Sequence, residues 1–179
     1  MKTPFARLTA FSLLALTTAA CQKTEYIHVG PNWAAAQKMS ASSDAIQVKV
    51  VGPDAAEMGD VLAYTVTSNE RGHLWVLEVD PEDVATVISE HEVAGNPQRY
   101  FEIEANEPLS LPKFRASEPA GKSMVVFIVT DPDTSLDTVL DGTSAEPTGV
   151  MPKALTLLEK TPEWGLAKKV VAVTGETKK

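Results

Sequence analysis

"HLWVLEV", residues 73–79, decides how this chain is read. In an extended strand His73, Trp75, Leu77 and Val79 fall on one face, and Leu74 and Val76 on the other. Successive strand side chains point to opposite faces, so a strand apolar on both is covered on both. This segment therefore belongs at the centre of a sheet. "MVVFIVT", residues 124–130, makes the same case with a continuous β-branched and aromatic run, the composition that suits a buried, pleated surface.

Working outward, other segments alternate and are covered on one face only. Ile46, Val48 and Val50 oppose Gln47 and Lys49; Leu62, Tyr64 and Val66 share a face; Phe101 and Ile103 oppose Glu102 and Glu104. "VATVIS" (84–89) and "KKVVAVT" (168–174) read as further strands. Turn signals separate them at Gly52-Pro53-Asp54, Ser68 to Gly72, Asp80-Pro81, Gly95-Asn96-Pro97, Pro119-Ala120-Gly121 and Asp131-Pro132-Asp133. Short strands punctuated in this way predict a mainly β chain folded as an antiparallel sandwich. Two short helices are expected near the C-terminus. "TSLDTVLDG" has Asp133 as its cap and Gly142 as its stop, and "MPKALTLLEKTPEW" carries an apolar stripe of Ala154, Leu155 and Leu158.

The N-terminal end reads differently. Lys2 and Arg7 precede a short apolar run from Leu8 to Leu16, and Thr17 to Ala20 are small. A transmembrane helix needs about 20 apolar residues, so this run predicts a cleaved leader over residues 1–20. The chain's single cysteine, Cys21, follows immediately. An unpaired thiol in an exported protein needs a reason, because that compartment is oxidising. Leu16-Thr17-Thr18-Ala19-Ala20-Cys21 resembles a bacterial lipobox, which implies cleavage between Ala20 and Cys21 and lipidation of Cys21 with palmitate-type chains. Several acyl chains hold a membrane firmly, at ~0.8 kcal/mol per buried CH₂. Gln22 rather than an acid follows, which by resemblance to Gram-negative lipoproteins places the protein at the outer membrane facing the periplasm.

Residues 21–44 read as a tether from lipid to domain, residues 45–175 as the sandwich, and residues 176–179 as a disordered tail. Tyr26, Ile27, Val29 and Trp33 are too apolar for a plain spacer. They either dock on the domain as a strand or turn, or present an apolar segment to a partner.

Net charge is -8, and with Lys2 and Arg7 removed residues 21–179 carry -10. Residues 160–179 are +3, leaving -13 on the body from Cys21 to Glu159. Such a body repels phosphate backbones, so nucleic acid is excluded as a partner class. It also repels anionic lipid, so the membrane is reached through the lipid anchor alone.

The stretches "GDVLAYTVTSNERGHLWVLEVDPED", "PLSLP" and "EPAGKSMVVFIVTD" resemble a bacterial domain-of-unknown-function family. Its members occur as envelope lipoproteins and fused to kinase-like or caspase-like domains. The matching positions are Gly59-Asp60-Val61-Leu62, Gly72 through Asp80, Pro112, Pro119 with Gly121, and Trp164 ahead of Val170 to Val173. After the second strand, where the family shows a Phe-Pro-Asn step, this chain has "VISEHE". The resemblance spans about Val50 to Val173 and implies an Ig-like sandwich. It brings no catalytic residues.

Catalytic and metal motifs fail on spacing. "AGKS" (120–123) ends like a phosphate-binding loop but has Ala116 where the motif needs glycine, and a strand follows it instead of a helix. "DPDTSLDTVLDG" has Ser135, Leu136 and Gly142 at the fifth, sixth and twelfth positions, where a calcium loop needs an acid, glycine and glutamate. Asp80 to Asp83 and Glu90 to Glu92 are acidic turns, and Glu102 and Glu104 face solvent. His28, His73 and His91 lack metal-ligand spacing. The chain is expected to have no catalytic, metal or cofactor residues. It reads as a lipid-anchored, non-enzymatic interaction module that docks a protein partner in an envelope or secretion assembly. The alternative is a periplasmic ligand-, glycan- or inhibitor-type binding module, with Trp33, Trp75 and Trp164 as stacking residues if exposed.

Overall fold

A computed structural model describes residues 29–42, 46–140 and 149–175. The leader, Ala20, Cys21, Tyr26, Ile27, His28, the Asp141–Gly142 helix stop and the 176–179 tail lie outside them. In chain order the elements are α1 (Pro31–Lys38), β1 (Val48–Val51), β2 (Ala55–Glu57), β3 (Val61–Leu62), β4 (Thr65–Ser68) and β5 (Gly72–Val79). Then come β6 (Ala85–Val87), β7 (His91–Val93), β8 (Asn96–Gln98), β9 (Phe101–Ile103), β10 (Leu109–Ser110) and β11 (Phe114–Arg115). The last are β12 (Gly121–Thr130), α2 (Asp137–Leu140), α3 (Val150–Leu158) and β13 (Trp164–Thr174).

The protein is a mainly β sandwich, antiparallel throughout its named strand pairs except at one edge. Its central sheet runs β2–β13–β12–β5, and β6 and β9 share the far edge of β5. The two double-faced strands found by pattern, β5 and β12, lie side by side, from Met124 opposite Val79 to Thr130 opposite His73. One edge departs from the antiparallel rule: β2 joins β13 in parallel, with Ala55 opposite Ala172. The facing layer is made of β1–β4–β10 and the short β3–β11 ladder.

Alternation along the central strands builds two cores. Leu74, Val76, Val125, Phe127 and Val129 face the second sheet, where they meet Tyr64 and Val66, with Ile103 of β9 beside them on the central sheet. Trp75, Leu77, Met124, Val126 and Ile128 face the other way, onto the three helices. The molecule thus has a third layer beyond the sandwich, and that layer is why "HLWVLEV" is apolar on both faces. Gly72 lets β5 begin where it does: a Cβ there would lie 2.1 Å from the Thr130 carbonyl oxygen.

Two expectations are corrected. The tether reading of residues 21–44 fails for Pro31–Lys38, which forms helix α1 with Trp33 3% exposed and Ala36 fully buried against the domain. Trp33 and the alanines give this segment more apolar surface than a spacer can leave in water. Asp133 is not a helix cap either. Asp131 closes that turn, accepting the Asp133 N–H at 2.8 Å, and α2 starts only at Asp137. An aspartate can bond the backbone two residues on, so the first acid of "DPD" captures the turn.

Candidate functional site

Helix α1 has eight residues, too few to hold together in water unaided. Pro31 suits the first helical turn, since its missing N–H would find no partner there. The rest of its stability comes from residues far away in sequence. At its N-terminus the Asp83 carboxylate accepts the Trp33 N–H at 2.7 Å and the Asn32 N–H at 3.1 Å. A negative charge is favoured at this end of a helix. The buried Asn32 side chain donates to the Asp83 carbonyl at 2.8 Å and accepts the Met151 N–H at 3.0 Å, joining α1 to the start of α3. Gly149, with φ +68°, keeps that corner open: a Cβ would sit 2.6 Å from the Asn32 Oδ1. At the C-terminus Lys168 of β13 donates to the carbonyls of Ala36, Gln37 and Met39 at 3.2, 2.9 and 2.9 Å. Burial lowers the Lys168 pKa from its ordinary value.

The three tryptophans are all buried: Trp75 at 0%, Trp164 at 2% and Trp33 at 3% exposure. None can stack on a glycan, so the exposure that the binding-module alternative required of them is not met. Their rings pack into the core instead, and the Trp75 Nε1 donates to the Thr130 hydroxyl at 3.1 Å.

The remaining motif residues serve turns and strands. "AGKS" leads directly into β12. Asp80 Oδ1 accepts the N–H groups of Glu82 and Val84 at 2.8 and 2.9 Å. His91 stacks on Phe101 with ring centroids 4.7 Å apart, and Glu90 pairs with Arg99 at 3.2 Å. Glu102 and Glu104 are exposed, as their alternation predicts. Among the described residues no three His, Cys, Asp or Glu side chains are grouped to hold a metal ion.

Two recesses bring polar side chains together. A cleft of about 220 Å³ holds Arg71, His73, Glu102 and Glu104 at the start of β5. The His73 ring stacks on Tyr100 at 3.8 Å. Burial lowers its pKa, against the opposing pull of Glu102, Asp131, Asp137 and Asp133. A neutral imidazole there can accept a proton, but the ring lies flat on an aromatic partner in a structural stack. The second recess is a cavity between the sheets, lined by Tyr64, Glu78 and Ser123. Burial raises the Glu78 pKa, and the Ser123 hydroxyl bonded to the carboxyl partly opposes this. Sequence reasoning passed over this group. The available signal was Glu78 itself, a lone acid on the Leu74–Val76 face of an otherwise apolar strand.

No family model matches the chain. No curated protein matches it either. Among solved structures it is similar to the sulfur carrier protein SoxY from Chlorobium limicola f thiosulfatophilum, at 17% identity and a TM-score of 0.34 over 74% of this chain and 82% of that one. It is also similar to a CARDB domain from Pyrococcus furiosus solved with di-metal ions, at 10% identity and a TM-score of 0.35 over 72% and 87%. These likenesses carry nothing about function.

Proposed function

We propose that this protein is a lipid-anchored module of the bacterial cell envelope, a member of the domain-of-unknown-function family it resembles, and that it acts by docking a protein partner rather than by catalysis. The observation that carries this reading is the run Leu16 to Cys21, with the chain's one cysteine placed where a lipobox requires it. The clamped helix α1 supports it. Pro31 lies ten positions beyond Cys21, and a chain of ten steps reaches at most about 33–36 Å when fully extended. An acyl group on Cys21 would keep the domain near the bilayer, because α1 is held at both ends and not paid out as further tether. The acidic body suits a protein or small-molecule partner better than nucleic acid.

The test is to compare the native protein with Cys21→Ser by palmitate labelling, membrane fractionation and in-cell crosslinking. The native chain is expected to take up label, to sediment with the outer membrane and to crosslink to one envelope protein. Cys21→Ser should lose the label and leave the membrane. Equal membrane association of the two forms, without label, would overturn the anchor. The small-ligand version of the alternative keeps support from the cavity beside Glu78.

A further inference from the structure

Strand β13 has an outer edge that the chain covers only at its two ends. Along an antiparallel strand, residues turn their N–H and C=O groups alternately to one side and the other. In β13 the even-numbered residues turn theirs away from β12. At one end the Ser42 hydroxyl accepts the Trp164 N–H at 3.0 Å and donates to the Trp164 carbonyl at 3.4 Å. At the other, where β2 joins, the Ala172 N–H donates to the Asp54 carbonyl at 3.0 Å and the Met58 N–H to the Thr174 carbonyl at 2.8 Å. Between them, the outward N–H and C=O groups of Leu166, Lys168 and Val170 have no partner among the described residues. Lys168 is exposed, and Val170 is 42% exposed.

Lysine side chains commonly guard an open edge against pairing. Here both lysines are drawn back onto the protein. The Lys168 ammonium is held by the carbonyls of Ala36, Gln37 and Met39. That of Lys169 is held by the Gly52 carbonyl at 2.9 Å and by Asp54. The gap from Leu166 to Val170 is four strand steps, about 13–14 Å long. Three N–H and C=O pairs repeating at every second residue are the complement of an extended strand, and an added strand takes its affinity from such main-chain bonds.

We infer that the Leu166–Val170 edge of β13 is a docking slot for a short extended segment of a partner protein, which adds as a strand with an acidic side chain opposite Lys168 and β-branched side chains opposite Leu166 and Val170. This deepens the docking function proposed above and rests on it for the partner's place in the envelope. Opposed side chains on one sheet face select each other by charge and shape. Leu166 and Val170 are apolar, and no carboxylate pairs with Lys168 among the described residues. Residues 160–179 carry +3 on a chain whose body carries -13, so an acid is better received here than elsewhere. A second copy of this chain does not fit. Its β13 has eleven residues, and lying along the slot it would run into Ser42 beside Trp164 and Asp54 beside Ala172. A segment that leaves the sheet after about five residues meets neither.

The experiment is an NMR titration of the purified chain with the capped pentapeptide acetyl-Ile-Thr-Glu-Thr-Val-amide. Before addition, the amide hydrogens of Leu166, Lys168 and Val170 should exchange quickly, and those of Ala167, Lys169 and Val171 slowly. The peptide is expected to shift and protect the three open amides saturably. Two N-methylated analogues are compared, one modified at the first, third and fifth residues and one at the second and fourth. One set removes the donors that face β13 and should weaken binding at least tenfold, while the other points to solvent and should leave it within about twofold. Replacing the peptide's glutamate by lysine should also weaken it. Val170→Pro removes an outward donor without touching the β12 ladder and should weaken the unmodified peptide; if that variant does not fold, the methylated analogues decide. No binding, equal effects of the two methylation patterns, shifts away from Leu166–Val170, or protection of the three amides by self-association alone would overturn the slot. None of these readouts depends on Cys21, so failure of the slot and failure of the anchor are told apart.

Discussion

The two faces of the central sheet bury similar apolar side chains but treat polar groups differently. On the helix-covered face, Asn32, Asp83, Lys168 and the Trp75–Thr130 pair are matched donor to acceptor, and their bonds hold the helix layer in place. The exception is the Trp164 Nε1, buried without a partner among the described residues. On the sandwich face, Tyr64 and Glu78 border a cavity, and the Tyr64 hydroxyl has no partner among the described residues. Paired buried groups stabilise the place where they sit. Unpaired ones cost stability, so they point to something beyond the fold. Trp164 lines none of the recesses described above, whereas Tyr64 borders the cavity between the sheets.

The largest expected effect contrasts one side chain from each core. Phe127→Ala on the sandwich face should cost about 3–5 kcal/mol of global stability, the usual range for removing a buried aromatic ring. Trp33→Ala on the helix face should instead release α1 alone. Amide hydrogen exchange is expected to show protection lost over residues 31–39 and largely kept in β5 and β12 for Trp33→Ala, and lost throughout for Phe127→Ala. If Trp33→Ala unfolds both sheets together, the helix layer is part of a single cooperative core and the contrast between the faces collapses.

A smaller effect is expected at the clamp. Asp83→Ala removes the acceptor for two helix N-terminal N–H groups. It should cost about 0.5–2 kcal/mol by urea unfolding, the range for a lost cap. Asp83→Asn keeps an acceptor oxygen and should recover part of that loss. An unchanged midpoint for Asp83→Ala would mean that burial of Trp33 alone holds α1.

The smallest effect is in pH dependence, and β5 carries both signs. His73 has a folded pKa below its ordinary 6.5 because burial disfavours its charged form. Its contribution is therefore full above about pH 6.5 and is lost as pH falls through the lowered folded value. Glu78 has a folded pKa above its ordinary 4.5, for the same physical cause acting on an acid. Its contribution is full below about pH 4.5 and is lost as pH rises through the raised folded value. Unfolding midpoints measured across pH should show His73→Gln flattening the first slope and Glu78→Gln the second. Unchanged slopes in both variants would place those side chains in water.

How much of this was legible in the sequence depends on range. The alternation of Ile46, Val48 and Val50, the pair of double-faced strands and the helix over Val150–Leu158 all follow from residues close together in the chain. α1 was less legible, because "PNWAAAQK" carries a first-turn proline and good helix formers but only eight residues. The candidate cavity was not legible, since nothing about Tyr64 alone says that its hydroxyl will lack a partner.

The sequence by itself determined the alternation of β1, β5, β6, β9, β12 and β13, the central place of β5 and β12, the acidic charge of the body and the placement of the chain's one cysteine behind a short apolar run; it marked none of the short β2, β7, β8, β10 and β11, and it ran β3 and β4 together as one strand. These depend on local composition and on the two-residue period of a strand. Only the tertiary structure decided that Asp83 and Lys168 would clamp the two ends of α1, and that Tyr64, Glu78 and Ser123 would share one cavity. Asp83 acts across about 50 residues and Lys168 across about 130. Pairings at such separations exist only once the chain has paid the entropy of closing those loops.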